Sequence, residues 1–347
     1  MHSTIDVTQS ERQLIGVGDG TISASALLNQ LDREMTRESA GGFQPLGFEP
    51  LDRTLGGGLR PNDLLVIAGR PGVGKTVVSL QLARNLALSG GTVAYACYEH
   101  DSWTLLSRLL ALEIGTLGVS PSSWYRPDGV RSLLDDVVRG TVSLTAVEAD
   151  PLFRAARSRL SEYADRLHFI QGSPSHTGID QLNEAISRLD SGPTTLFVDY
   201  LQKVASTSSK VSHLDHVASV AAGLKEIALQ WSLSVVAIAA IGGNGLSKRR
   251  VHLPHLDGAV AVGYDADVVI MMNDKRQIVS STNLLYTTEQ ADRFRQRVVF
   301  TIEKNRSGIA PVDLEFTKDF EHFRFDPSGS YVAEQLIEDG EHDDFRT

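Results

Sequence analysis

The sequence is poor in cysteine, in long apolar runs and in positive charge, and each shortage excludes something. Cys97 is the only cysteine among 347 residues, which excludes a disulfide framework and a Cys-rich zinc site and fits a reducing compartment. No apolar run approaches the roughly 18 residues that span a bilayer. The opening MHSTIDVTQSERQLIGVGDG also lacks the charged-then-apolar order of a secretory leader. A cytoplasmic protein with no membrane partner is the expectation. Lys and Arg number 33 against 43 Asp and Glu, a formal net charge of -10. Nucleic-acid affinity comes largely from cations that neutralise phosphates, so this balance argues against a generic polyanion-binding surface. Local basic loops remain compatible with it, above all where a ring of subunits gathers them around a channel.

The hydrophobic content, 41%, is enough for one large α/β domain with flanking segments. Residues 1–20 are polar and read as a flexible tail. Within 21–42, Leu27, Leu28, Leu31 and Met35 recur at helical spacing, an amphipathic helix that packs either on its own domain or on a neighbouring subunit. From residue 43 short apolar strands follow one another at 64–69, 92–99, 168–172, 194–201, 233–241 and 266–272. Helical stretches such as 76–88, 102–114, 178–190 and 213–231 separate most of them. Buried strands alternating with helices predict a mostly parallel sheet covered on both faces. Period-two alternation at 297–306 and 310–325 adds terminal strands, some antiparallel, and closes a domain spanning 43–330. Residues 331–347 read as an acidic tail.

GRPGVGKT, from Gly69 to Thr76, has the Walker A spacing and lies between a predicted strand and a predicted helix. Gly69, Arg70, Pro71, Gly72, Val73 and Gly74 form a loop whose N–H groups can wrap a phosphate at a helix N-terminus. Lys75 would reach the terminal phosphates of ATP, and the Thr76 hydroxyl would ligate Mg2+. Asp199, ending the apolar run TTLFVD, is the candidate second acid at the metal. Glu99 ends the strand after the phosphate-loop helix and is the candidate base for an attacking water. Alternatively, with Asp101, it is an acid favoured by the dipole of the following helix. Lys248, Arg249 and Arg250 form a basic cluster beside glycines, either a track for single-stranded DNA or an ordinary charged loop. No aromatic residues interleave with it to stack bases. His213, Asp215 and His216 read as residues of a helix start rather than as metal ligands.

With these residues in place, the chain resembles the ATPase domain of the DnaB-type replicative helicases, RecA-like P-loop NTPases that assemble as hexameric rings. The resemblance rests on PLGFEPLDRTLGGGLRPNDLLVIAGRPGVGKT, YEHDSWTLLSRLLA, FVDYLQKV, YDADVVIMM and EKNRSG, spread from about Phe48 to Phe325. It implies that Glu99 is the catalytic glutamate and Asp199 the magnesium-associated aspartate. It further implies that Arg108 approaches the nucleotide from the helix after Glu99, and that Lys304 and Arg306 cross a subunit boundary to a neighbour's γ phosphate. The helix within 21–42 would be a linker docked on the adjacent subunit. Three departures stand out: a helical collar domain has no counterpart before the core, Ala240 occupies the place of a phosphate-sensing glutamine, and Asp257 and Gly258 replace an Arg-Glu pair. Two functions follow as expectations: a DNA helicase or translocase, or a KaiC-like regulatory or assembly ATPase acting on protein partners.

Overall fold

The computed structural model describes residues 23–25, 27–28, 43–118, 150–190, 192–206, 212–279 and 288–337. The tail 1–20, most of the helix expected within 21–42, the stretch 119–149 and the acidic end 338–347 lie outside them.

Strand β1 (Leu64–Gly69) is the centre of the molecule, and its alternation divides the core. Leu65 and Ile67 enter one apolar cluster while Leu64, Val66 and Ala68 enter another, as a strand buried on both faces requires. The first cluster receives helices α2 (Lys75–Leu88) and α3 (Ser102–Thr116), with the short α1 (Glu49–Thr54) at its margin. The second receives α5 (Ile179–Ser187) and α6 (His213–Trp231). Helix α4 (Pro151–Ser161) packs beside α3 in a smaller cluster around Phe153.

Parallel pairing joins β1 to β5 (Ser234–Ala240) and β6 (Val268–Asp274) on its two sides. Beyond β5 come β4 (Thr195–Asp199), β2 (Val93–Cys97) and β3 (Leu167–Gln171), also parallel. Beyond β6 the sheet turns antiparallel through β7 (Arg297–Asn305), β8 (Val312–Asp319) and the two-residue β10 (Ser330–Tyr331), with β9 (Arg324–Phe325) beside β8. The expected α/β class, parallel centre and antiparallel terminal strands are all present. Shorter helices α7 (Gly243–Leu246), α8 (Ala259–Asp265), α9 (Lys275–Ile278) and α10 (Thr288–Arg295) lie among the connections, with several single 3-10 turns.

The packed domain extends past the boundary at 330 read from the sequence. Leu336 and Ile337 are buried, Leu336 bridges Val279, and Glu334 pairs with the fully buried Lys275. An acidic composition concealed these two apolar anchors. Among the described residues, no helix is long and apolar enough to cross a membrane.

Candidate functional site

The carboxyl ends of β1, β5, β4 and β2 form one edge, and register places the candidate residues along it. Gly69 pairs with Ala240, and Asp199 with Cys97. The phosphate loop then turns into α2 through Gly72 (φ 80°) and Gly74 (φ 102°), the left-handed backbone that glycine tolerates without steric cost. A Cβ at Gly74 would also lie 2.7 Å from the rings of Phe320 and Phe325.

Lys75 folds back over its own loop, its Nζ donating to the carbonyls of Gly69 at 2.8 Å and Arg70 at 3.0 Å. Burial pushes its ammonium below the usual lysine range, against the pull of Asp199 and Glu99. Asp199 is 1% exposed. Burial raises its carboxyl above the usual carboxylate range, opposed by hydrogen bonds from Thr76 and Tyr95. Opposite charges this close ordinarily stabilise each other's charged forms, so both shifts toward neutrality mean that desolvation outweighs their attraction. Such a site is poorly solvated and costly to keep charged while it is empty of ligand. The donor set suits a nucleotide with a divalent cation: phosphates would take the Lys75 ammonium and the loop N–H groups, and the cation would take Asp199 and Thr76.

Glu99 stands exposed just past β2 on the same edge, while the neighbouring Asp101 accepts from the Thr104 N–H at 2.7 Å and caps α3. The helix-start role thus falls to Asp101. Arg108, in the second turn of α3, lies with its guanidinium carbon 4.3 Å from the centre of the Phe323 ring.

Two residues with no role assigned from the sequence support the edge. Tyr95 donates to Asp199 Oδ2 at 3.1 Å and contacts the Ser79 hydroxyl at 2.7 Å, linking β2, β4 and α2. Gln202 brackets the main chain of Ala240, accepting from its N–H at 3.0 Å and donating to its carbonyl at 3.3 Å. Tyr95 reads in sequence as one more apolar strand residue. Gln202 is visible only as part of FVDYLQ.

The basic cluster does not stay together. Arg250 is 3% exposed and donates to Asp313 Oδ1 at 2.7 Å and to the Thr301 hydroxyl at 3.3 Å. It is a buried tie between the loop and strands β7 and β8, and the expectation that it follows a phosphate backbone is corrected. Lys248 and Arg249 remain exposed. Arg70 of the phosphate loop grips this same segment through the carbonyls of Arg249 at 3.0 Å and Gly245 at 3.4 Å.

Lys304 and Arg306 lie at the other edge of the sheet. Lys304 pairs with Val269 and the Arg306 N–H bonds to the Asp267 carbonyl, level with the start of β1. Arg306, level with Leu64, is five strand residues from Gly69, about 17 Å along the strand, and Lys304, level with Val66, is three residues from it, about 10 Å. Lys304 Nζ instead donates to the carbonyls of Ala266 at 2.5 Å, Gly263 at 2.6 Å and Tyr264 at 3.5 Å, at the C-terminal end of α8. Arg306 donates to the Tyr264 carbonyl and to Asp267 Oδ1. Of the histidines considered, His213 pairs with Asp257. No group of three metal-ligating side chains occurs among the described residues.

A parallel sheet with a phosphate loop after its central strand and an acid at the end of a strand two places away defines a RecA-like P-loop nucleotide-binding domain. Residues 44–121 and 134–325 match the DnaB-like helicase C terminal domain, and the chain belongs to that family. It is 27% identical over 301 residues to the replicative DNA helicase DnaC of Bacillus subtilis, covering 82% of this chain and 58% of that protein. It is 25% identical over 281 residues to the replicative DNA helicase DnaB of Treponema pallidum, covering 80% and 55%. The chain therefore spans little more than half the length of these curated relatives. Among solved structures, a DnaB-like replicative helicase, described with its interactions with primase, superposes with a TM-score of 0.65 at 16% identity, covering 88% of this chain and 68% of that one.

Proposed function

We propose that the chain is the ATPase engine of a ring-forming DnaB-like helicase, hydrolysing MgATP at sites shared between adjacent copies. The observation that carries this reading is the separation of its cationic pair from its phosphate loop. Lys75, Thr76, Asp199 and Glu99 gather at one edge, whereas Lys304 and Arg306 are held toward the opposite edge, about 10 and about 17 Å away along the strands. A head-to-tail arrangement brings the two edges together from different chains.

In that arrangement the loop N–H groups and the start of α2 hold the phosphates, and Lys75 leaves its two carbonyl partners for them. Mg2+, held by Thr76 and Asp199, would neutralise phosphate charge. Glu99 accepts the proton of the attacking water. Arg306, with Lys304, stabilises the charge that develops at the transition state. Arg108 contacts the nucleotide from α3. The family membership favours the helicase lineage over a regulatory ATPase acting on protein partners. Lys248 and Arg249, tethered to the phosphate loop through Arg70, are the proposed contacts to single-stranded DNA, and a hexamer is the proposed assembly.

Substitution separates these roles. Lys75→Ala is expected to weaken nucleotide binding roughly ten- to a hundredfold, the range for losing a charge-assisted hydrogen bond. Arg306→Ala is expected to lower the hydrolysis rate about a thousandfold while titration shows nucleotide affinity nearly unchanged. Equal loss of binding and turnover in the Arg306 variant would refute a shared site. Single-stranded DNA is expected to raise the hydrolysis rate at low salt, with the effect fading as salt increases. Absence of both stimulation and binding at low salt would remove DNA from the proposal.

A further inference from the structure

Among the described residues, the three most exposed large apolar side chains are Val260, Tyr264 and Ile309, each 76% exposed. Val260 and Tyr264 are four residues apart on α8 and therefore share a face. Ile309 follows Arg306 by three residues in the turn after β7. All three belong to the segments that present Lys304 and Arg306. Isolated exposed apolar residues need no explanation, but three on the two segments that hold these cations make a candidate interaction surface.

Tyr264 connects that surface to the cations directly. Its ring projects into solvent while its carbonyl accepts from Arg306 and, at 3.5 Å, from Lys304. The carbonyls of Gly263 and Ala266, on either side, hold Lys304 as well. These are the acceptors that the C-terminal end of a helix leaves without intrahelical donors, and they favour cations. A body seated on Tyr264 therefore sets the position of the helix end from which both cations hang.

We propose that Val260, Tyr264 and Ile309 form the docking knuckle by which one copy of this chain seats on the phosphate-loop edge of the next, with Tyr264 positioning Lys304 and Arg306. The occupant is a second copy because that edge offers the complement. Glu99 and Asp101 are exposed there, opposite in sign to the arriving cations, and Trp103, 58% exposed at the start of α3, supplies an apolar surface. Helix α8 starts beside Ala240 and ends level with Leu64, so Tyr264 and the two cations lie at the end of the sheet opposite the acceptor, and the contact they make with it forms between chains and is heterologous. This proposal rests on the shared-site reading above and adds the surface and the positioning residue that the reading requires.

The asymmetry of the contact supplies its test. Full-length Lys75→Ala and Arg306→Ala chains, each inactive alone, are mixed: the first retains its cations, the second its phosphate loop. Restored ATP hydrolysis is expected. Tyr264→Asp is then added to one partner at a time. Placed in the Lys75→Ala chain, which must donate the cations, it is expected to reduce the restored rate by about tenfold or more, as for an anchor residue at an interface. Placed in the Arg306→Ala chain, which receives the cations at the active site and uses its own knuckle only to hold the assembly, it is expected to cost markedly less. Ile309→Asp, outside α8, is expected to repeat the asymmetry, so a folding defect confined to that helix cannot mimic it. Restored hydrolysis with equal loss in both placements, or loss in neither, overturns the docking knuckle alone. No restored hydrolysis from the parent mixture overturns the shared site, and the knuckle with it.

Discussion

At the scale of single residues, Asp199 carries a cost in the nucleotide-free chain. Its carboxyl is buried beside Lys75, yet burial raises it above the usual carboxylate range. An acid held better protonated in the folded state stabilises the fold fully below its unfolded value of 3.8. That contribution is lost as pH rises through the folded value. At neutral pH its ionised form therefore weighs against folding. Asp199→Asn keeps the shape and a partner for Tyr95 and removes the charge, so the nucleotide-free chain is expected to melt about 1–4 °C higher while hydrolysis is abolished. The gain should shrink as pH falls toward 3.8, as the wild-type carboxyl takes up its proton. Calorimetry from neutral to acid pH checks this, and a lower melting temperature for the variant at neutral pH would contradict it. Asp199 was legible in sequence because an acid ending a run of apolar residues sits at the end of a strand. Arg250 was misread because its partners Asp313 and Thr301 are 63 and 51 residues away, and adjacency to Lys248 and Arg249 carries no information about them.

At the scale of elements, the sheet was readable and its fastenings were not. Each central strand is a short apolar run bounded by polar residues, so its existence follows from composition and its limits shift by only a residue or two. The tie between α2 and α3 has no such signature. Arg84 donates from Nε and Nη2 to the two oxygens of Glu113 at 2.7 Å each, and the Tyr163 hydroxyl donates to Glu113 Oε1 at 2.7 Å. Burial is the chief cause that drives the Tyr163 hydroxyl far above the usual tyrosine range, with the Glu113 charge adding to it. In sequence these are an arginine and a glutamate at positions where two amphipathic helices permit either polar or apolar residues. Glu113→Ala strands the Arg84 guanidinium in the core and is expected to cost about 3–5 kcal/mol in urea unfolding. Replacing both charges, as in Arg84→Met with Glu113→Leu, is expected to recover most of that loss, because a buried ion pair contributes little net stability over an apolar pair. A double variant as unstable as the single one would show that the pair itself, rather than an abandoned charge, holds α2 to α3.

At the scale of the whole molecule, the sheet keeps the phosphate loop apart from Lys304 and Arg306. The phosphate loop ends β1 at one edge, and β7 runs antiparallel to β6, which carries Lys304 and Arg306 to the other. Refolding a side chain cannot join them, since the separation is the length of a strand. Turnover on the shared-site reading therefore needs a second chain, and hydrolysis per chain is expected to depend on protein concentration. Above the concentration at which sedimentation shows assemblies, the rate per chain is constant. Below it the rate per chain falls, in proportion to concentration where pairs are the smallest active unit, because each active site then forms by collision of two chains. Nucleotide binding follows a different course, since the loop and Lys75 are complete within one chain. A nucleotide titration on dilute, single chains is expected to retain measurable affinity where hydrolysis has vanished. A rate per chain that stays constant into the range where only single chains sediment would mean that Lys304 and Arg306 have no part in turnover, and that the far edge of the sheet serves packing alone.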